Sequence, residues 1–491
     1  MTLLPIKLPP GMYKNGTELD AAGRWFDGNL VRWVEGMMRP VGGWQARTTT
    51  ALTGRPRAIL TWRDNSATRH IAVGTHSKLY AISQTSVITD ITPSGFAPGE
   101  PDASVGGGYG VGLYGREFYG TPRADVGSVN PATTWTLDNW GEYLVGCSNF
   151  DGKIYEWQLN PAVPAAVVAN APTNNTAILV SNERALFALG AGGDPRLISW
   201  SDLENNTVWT PSSTNLAGSI ELQTGGEIIV AKRVRGQILV LTDIDAHVVT
   251  YVGQPFVYQS EYVGRACGIP GPNAIAVQDN FAVWMSTRGF FTYDGYIKPL
   301  PCEVSDYVFS DINQSQLSKV CAINNSQFNE VWWYYPSASS QENDRYVIWN
   351  YAENYWSTGT LSRSAGTDRG VFANPIFIGT DGILYNHEIG VNHGDSTVYV
   401  ESGPVQIGNG DNVYYVNELI PDERNQGDVT ATFFSRYYPN STERSYGPYS
   451  MTNPTSVRFN GRQINMRLTA APNTDWRVGT MRLNAQPGGR R

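Results

Sequence analysis

Two histidines and two acids near residue 390 are the strongest candidates for metal chemistry in this sequence. His387 and His393 lie beside Glu388 and Asp395. Imidazole nitrogens and carboxylate oxygens at this spacing can bind a divalent cation. The five histidines include no HExxH motif or other i, i+4 pair, and the segment follows a strand pattern as a loop. We therefore expect a solvated polar cluster and predict no metal and no cofactor.

One glycine motif suggests nucleotide chemistry. Gly110, Gly112 and Gly115 match the GxGxxG pattern of dinucleotide-binding loops. In such loops a buried strand precedes the glycines and a helix follows, which lets the backbone approach a pyrophosphate. Neither pattern surrounds these glycines, and the chain has no GxSxG, GxxxxGK[ST] or protein-kinase motif. We therefore interpret the motif as part of a glycine-rich loop.

The carboxylates are the remaining candidates for catalysis. The 44 acids could include a pair at the roughly 5 to 9 Å separation that glycoside hydrolases use, a distance that a sequence does not give. Asp151, Asp294 and Asp381 each precede a glycine, but the flanking residues differ from the Asp boxes of sialidase-like propellers. A hairpin turn explains each pair. From these motifs we predict no catalytic residue and no enzyme.

The cysteines and the apolar runs indicate the compartment. Cys147, Cys267, Cys302 and Cys321 are far apart and form no CxxC pair, so we predict buried, reduced thiols. The sequence shows no secretory leader and no apolar run of about 18 residues. We expect synthesis in the cytosol and no membrane span.

The composition favours a turn-rich all-β protein. Charged residues make up 16% of the 491 residues, whereas Gly 51, Pro 29, Trp 15 and Tyr 26 are abundant. Turn formers and bulky aromatic side chains are typical of such folds. The net charge is −8, but residues 421–491 hold 10 arginines and 5 acids, so the rest of the chain carries −13. The last segment is therefore a separate electrostatic unit.

A repeated strand pattern predicts a β-propeller. Residues 274–300 contain two short apolar runs and two tight turns, and both faces of the runs are apolar, as in radially stacked sheets. Comparable units recur through residues 51–394, and 84–133 interrupt them as a long Gly- and Tyr-rich excursion. The units carry these aromatic landmarks: Tyr80, Tyr155, Trp200, Tyr251, Tyr293, Trp349 and Tyr385. After the first gap their spacing is 36 to 56 residues, close to the roughly 40 to 50 of a four-stranded blade. We predict six or seven blades, closed by pairing of late strands with early ones.

Residues 1–50 form a predicted N-terminal arm. Its large aromatic residues lie among charges, and a free arm of this kind would aggregate. Either it adds strands to its own propeller or it docks on a neighbouring subunit. We expect that removing residues 1–50 leaves a folded chain that no longer assembles. The candidate interface residues are Trp25, Phe26, Arg32, Trp33 and Trp44.

Residues 395–491 are a predicted C-terminal β-sandwich or barrel. Alternation is clearer in this segment, and arginines lie between apolar residues, so that one face is core and the arginine face meets water or a partner. An acidic partner subunit or phosphate groups would suit this face. Its candidate interface residues are Arg458, Arg462, Arg467, Arg477 and Arg482.

Long segments of the chain resemble tail proteins of short-tailed bacteriophages, the packaged-DNA stabilisation, hub or nozzle proteins. The segments that carry the resemblance are 23–44, 178–211, 284–313 and 329–359. The resemblance implies a structural virion protein that forms a homohexameric tube below the portal and adaptor. It further implies contacts with the adaptor and with tail needle or fibre proteins, retention of packaged DNA, and transient passage of double-stranded DNA into the host. An acidic lining would keep DNA from adhering in transit.

Two other function classes remain open from the residues alone. One is a propeller that binds or degrades a glycan, with the 84–133 excursion near its site. The other is a plain scaffold or receptor-binding module.

Overall fold

The computed structural model describes residues 2–105, 129–406, 412–439 and 441–489. Within these ranges, seven four-stranded antiparallel sheets, the blades, surround an axis. Consecutive strands pair within each blade, and the first strand of each blade packs against the first strand of the next, back round to blade 1. The predicted all-β propeller is confirmed, with seven blades.

The strands of blades 1 to 4 each run in chain order from the axis outward. Blade 1 consists of Pro56–Arg63, Arg69–Thr75, Leu79–Ser83 and Ile88–Asp90. Blade 2 consists of Trp135–Trp140, Tyr143–Ser148, Ile154–Trp157 and Ala166–Val167. Blade 3 consists of Ala177–Val180, Leu186–Leu189, Leu197–Trp200 and Gly218–Glu221. Blade 4 consists of Ile228–Val234, Gln237–Thr242, Asp245–Gly253 and Val257–Arg265.

Blades 5 to 7 complete the ring. Blade 5 consists of Ile275–Val277, Ala282–Met285, Phe290–Tyr293 and Ile297–Leu300. Blade 6 consists of Cys321–Asn325, Glu330–Tyr335, Arg345–Asn350 and Tyr355–Thr360. Blade 7 consists of Ala365–Thr367, Ile376–Ile378, Leu384–His387 and, from the other end of the chain, Trp44–Ala46.

The early strand in blade 7 closes the ring. His387 pairs with Trp44 and Tyr385 with Ala46, so the outermost strand of the last blade immediately precedes blade 1 in the sequence. This pairing covers an otherwise free strand edge, as expected from the sequence.

Burial on both faces explains why these strands lack alternation. All six residues of Glu330–Tyr335 are buried, and so are all four of Ala282–Met285. Each blade is sandwiched between two others, so neither face of its inner strands meets water. The predicted turn at Asp294-Gly295 joins the outer two strands of blade 5, and Gly295 has φ +116°, which favours glycine.

The antiparallel order divides the connections between two faces. One face, called the loop face, carries the links between blades and the turns between second and third strands. The opposite face, called the turn face, carries the first and third turns of each blade. The predicted excursion 84–133 begins later than expected, because Ile88–Asp90 is the outer strand of blade 1. Beyond it, Ser104–Val105 pairs with Val129–Asn130 on the loop face. Gly110, Gly112 and Gly115 lie outside the described residues.

Two sheets of the C-terminal segment form a sandwich that strands of the N-terminal segment complete. The first sheet has the order Thr2–Ile6, Met481–Pro487, Tyr414–Ile420 and Thr455–Gly461. The second has the order Trp25–Asn29, Tyr399–Ser402, Gln463–Ala470, Val429–Arg436 and Arg444–Ser450, and Val405–Gln406 also pairs with Gln463–Ala470. Phe433 and Phe459 stack between the sheets with ring centroids 4.8 Å apart.

The other elements are short. Val31–Val34 and Met37–Pro40 form a hairpin, and Glu18–Ala21 and Ala191–Gly193 are 3-10 helices. Between blades 5 and 6 lie the α-helix Ser305–Asp311 and the 3-10 helix Gln314–Lys319. None of the helices in the described part of the chain is long and apolar enough to cross a membrane.

Candidate functional site

Trp25 and Trp33, two of the N-terminal interface candidates, lie inside the protein. Trp25 is 6% exposed and Trp33 is 2% exposed. Trp33 meets Tyr355 of blade 6 edge to face at 5.4 Å, and its backbone N–H donates to the Tyr355 hydroxyl at 3.0 Å. The Trp33 ring also lies 6.5 Å from that of Trp25, centroid to centroid, so both side chains pack within the chain.

Arg32 is also buried, in an ion-pair cluster that joins the hairpin to blades 6 and 7. Its Nη2 donates to Glu388 Oε1 at 2.6 Å and to Glu330 Oε2 at 2.9 Å. The guanidinium also lies 3.7 Å from the ring centroid of Phe328. Burial raises the pKa of Glu330 to about 7 against the attraction of Arg32. The interface role predicted for Arg32 is therefore replaced by a role inside the fold.

Phe26 and Trp44 keep part of their surface. Both are half-buried, and Trp44 stacks on His387 at 5.4 Å, with His393 edge-on at 5.6 Å. An assembly role for these two aromatic side chains stays a prediction.

The histidines near residue 390 are buried, which corrects the expectation of a solvated cluster. His387 is 3% exposed and His393 is 5% exposed, because the strand Trp44–Ala46 covers them. Arg363 Nε donates to His387 Nε2 at 3.0 Å. Burial and this guanidinium lower the pKa of His387 well below its usual value. No group of three or more possible metal ligands is found among the described residues.

The five C-terminal arginines fall into two groups. Arg467 donates to Glu401 at 2.7 Å, Arg477 pairs with Asp475, and Arg462 lies over the Tyr438 ring at 5.2 Å. Arg458 and Arg482 are exposed on strands of the first sandwich sheet. These two arginines are the members of the set whose cationic groups remain open to a partner.

At the loop face, a charge cluster joins blades 1 and 6 near the axis. Arg57 is 3% exposed and donates two hydrogen bonds of 2.7 Å to the carboxylate of Glu342. Lys319 Nζ lies between Asp102 and Glu342, at 3.5 Å from the latter. Asn273 at the start of blade 5 donates to the Arg57 carbonyl at 2.8 Å. The opposed charges neutralise one another, so this cluster braces the end of the axis.

Residues 99–103 of the predicted excursion cross this end of the propeller. Gly99 donates to the His76 carbonyl of blade 1 at 2.8 Å, and the Pro101 carbonyl accepts from Arg57 at 2.7 Å. Ala103 exchanges hydrogen bonds of 2.9 and 2.8 Å with the side-chain amide of Gln316. The segment therefore spans from blade 1 to the link between blades 5 and 6.

Beside this crossing, a cavity of about 270 Å³ lies open on the loop face. The turn at Phe150 and Asp151 of blade 2 forms one wall, and Asn174, Glu227 and Ser318 approach from the links that precede blades 3, 4 and 6. Five blades thus contribute to one concave site, because blade 5 adds the link at residues 270–272. The sequence by itself does not reveal this cavity, because its residues come from separate repeats.

The turn face carries an exposed apolar surface on blades 4 and 5. The two outer strands of blade 4 are nine residues long and meet in a turn where Phe256 is 77% exposed. Tyr251 and Val252 beside it and Tyr296 in the neighbouring turn of blade 5 are also exposed. We call these four residues the hairpin surface. The sequence signal for this surface is the unusual length of the third and fourth strands of blade 4.

Comparison with known proteins gives structural likenesses only. No family model and no curated protein matches the sequence. Similar solved structures include virginiamycin B lyase from Staphylococcus aureus, at 9% identity and a TM-score of 0.43, covering 69% of this chain and 97% of that chain. BamB from Moraxella catarrhalis is similar at 10% identity and a TM-score of 0.32, covering 70% of this chain and 99% of that chain.

The comparison overturns the prediction that this chain is not an enzyme. Virginiamycin B lyase and a second similar structure, streptogramin B lyase at 10% identity, are enzymes by name. The prediction depended on the lack of short catalytic motifs. A propeller can bring reactive side chains together from separate blades, so the lack of a motif within one segment does not exclude catalysis.

Proposed function

We propose that this chain is a structural subunit of a short bacteriophage tail. In this proposal it forms a homohexameric hub or nozzle below the portal and adaptor, retains packaged DNA, contacts tail needle or fibre proteins, and serves as the conduit for DNA ejection. Support comes from the resemblance of segments 23–44, 178–211, 284–313 and 329–359 to such tail proteins.

The hairpin surface is the observation that carries the proposal of an assembled subunit. Phe256 is 77% exposed and Tyr296 is 76% exposed, on turns of adjacent blades. Exposed large aromatic side chains of this kind are enriched at protein interfaces. The strand Val257–Arg265 is also the free edge of blade 4, and a long uncovered edge favours association.

The closed ring of blades suits a rigid building block. Trp44–Ala46 locks blade 7, and Thr2–Ile6 and Trp25–Asn29 tie the sandwich to the start of the chain. The axis is crossed by side chains, including the bond from Asn273 to the Arg57 carbonyl. DNA would therefore pass through the bore between subunits, where the charge of −13 outside residues 421–491 limits adhesion.

Electron microscopy and mass measurement of the purified full-length chain test the proposal. A six-fold ring with a central opening is the expected result. Replacing Phe256 and Tyr296 with serine should shift the particles to monomers. Val87 is 61% exposed on blade 1, so Val87→Ser is the matched control and should leave rings intact. A monodisperse monomer at all concentrations, with and without added adaptor protein, contradicts the proposal.

A further inference from the structure

The cavity on the loop face has the chemistry of a ligand site. The cavity has a volume of about 270 Å³. Its walls are the ends of inner strands and the links between blades, which the closed ring holds in place. Close packing holds these walls: a Cβ on Gly152 would lie 2.4 Å from the Asn174 Cα, and one on Gly271 would lie 2.5 Å from the Ser318 carbonyl oxygen. The cavity is therefore preformed, as small-molecule sites usually are.

Two oxygens at the walls have no hydrogen-bond partner within the described structure. Asn175 is 2% exposed, and its amide nitrogen donates to the Gly152 and Pro172 carbonyls, at 2.8 and 2.6 Å. Its Oδ1 is left unpaired, as is the buried Oγ of Ser318. Buried polar atoms normally have partners, so each unpaired one indicates a missing donor or acceptor. Because these two oxygens expose almost no surface, they lie just behind the cavity wall, and the side chains that a ligand reaches directly are those of Asn174 and Glu227.

The charges of the lining select against anions. Asp151 and Glu227 line the cavity, and among its described lining residues there is no lysine, arginine or histidine. Glu227 is exposed at the cavity, and partial desolvation of its carboxyl together with the nearby Asp243 raises its pKa. A phosphate, sulfate or carboxylate ligand would meet repulsion in such a site.

An exposed aromatic ring also lines the cavity. Phe150 lies in the turn between the second and third strands of blade 2, where it is 46% exposed at the cavity. Asn174 is exposed beside it. An accessible ring offers an apolar face for C–H groups, while amide, carboxylate and hydroxyl groups exchange hydrogen bonds with a polar edge. A sugar ring has both kinds of surface.

We propose that the loop-face cavity binds a neutral sugar unit, stacked on Phe150 and hydrogen-bonded to Asn174 and Glu227. The site is independent of the proposed assembly, because the hairpin surface lies on the opposite face of the propeller. A volume near 270 Å³ admits one or two sugar rings of a larger glycan.

Titration of the intact chain with single sugars tests this inference. The probes are glucose, galactose, mannose, rhamnose, N-acetylglucosamine and their disaccharides, followed by calorimetry and ligand-detected NMR, with galacturonate as the anionic counterpart. At least one neutral probe should bind at millimolar concentration, and galacturonate should bind more weakly. Phe150→Ala and Glu227→Gln should each weaken binding at least about tenfold.

The control is Phe256→Ala, which removes a more exposed phenylalanine ring on the turn face and should leave sugar binding unchanged. Thermal unfolding of Phe150→Ala should match the unaltered chain, because the ring is half exposed. If none of the neutral probes binds, if galacturonate binds more tightly, or if Phe150→Ala binds as the unaltered chain does, the inference is wrong. Loss of ring assembly would not affect these results, so the two proposals fail separately.

Discussion

Arg32 and Glu388 clamp the N-terminal hairpin to blade 7 through two parallel hydrogen bonds. Nη1 donates to Oε2 at 2.9 Å and Nη2 to Oε1 at 2.6 Å, with both side chains buried. Arg32→Met should destabilise the protein by about 3 to 5 kcal/mol, because the carboxyl groups of Glu330 and Glu388 would stay buried without the guanidinium that pairs with them. Denaturant unfolding measures the change.

The control for that substitution is Arg63→Met, at the exposed end of the first strand of blade 1. Its unfolding free energy should stay within about 0.5 kcal/mol of that of the unaltered chain. Equal effects of the two substitutions would show that the buried ion pairs do not hold the hairpin.

Glu330 should make stability depend on pH. Its pKa is raised from 4.5 to about 7 by burial, so the folded state binds this proton more tightly than the unfolded state. This difference in proton binding stabilises the folded state by about 3 kcal/mol below pH 4.5, and the stabilisation is lost as the pH rises through about 7. Comparing the unaltered chain with Glu330→Gln at pH 5 and pH 8 isolates this contribution. An identical pH dependence in both would contradict it.

Gly74 should not tolerate a side chain. A Cβ at this residue of blade 1 would lie 2.4 Å from Cγ of Trp135, which is fully buried at the contact with blade 2. Gly74→Ala should cost about 1 to 3 kcal/mol through overpacking. Gly289→Ala, where no atom lies within 4 Å of the new Cβ, is the matched control. Thermal unfolding of the two variants should separate them by several degrees.

Removal of residues 1–50 should prevent folding of the ring, contrary to the sequence-based expectation of a folded chain. The deletion takes away the outer strand of blade 7 and exposes His387, which that strand covers. Removal of residues 2–6 alone deletes only an edge strand of the sandwich and should leave a cooperative, less stable protein. Circular dichroism during heating compares the two. A cooperative transition after the longer deletion would show that the ring closes without this strand.

The native thiols should resist alkylation. Burial raises the pKa of Cys267 to about 11 and that of Cys321 to about 12, and raises the pKa of Cys147 and Cys302 further. Because the thiolate is the nucleophile, iodoacetamide at pH 7.5 should label the folded chain slowly and the urea-unfolded chain rapidly. Mass spectrometry reads the number of labelled cysteines. Rapid labelling of Cys147 in the native chain would contradict its burial.

The sequence alone determined what depends on neighbouring residues. Tight turns such as Asp294-Gly295 and apolar runs such as Ala282–Met285 specify strands locally. The distance between successive units, close to the length of one four-stranded blade, predicted the propeller.

Only the tertiary structure decided which side chains meet. Arg32 and Glu330 are 298 residues apart, and whether Trp33 faced a partner or Tyr355 depended on where the hairpin docked. The loop-face cavity has the same origin, because ring closure brings Phe150 and Ser318 to one axis from different blades. Burial and proximity are properties of the packed ring, and no segment carries them by itself.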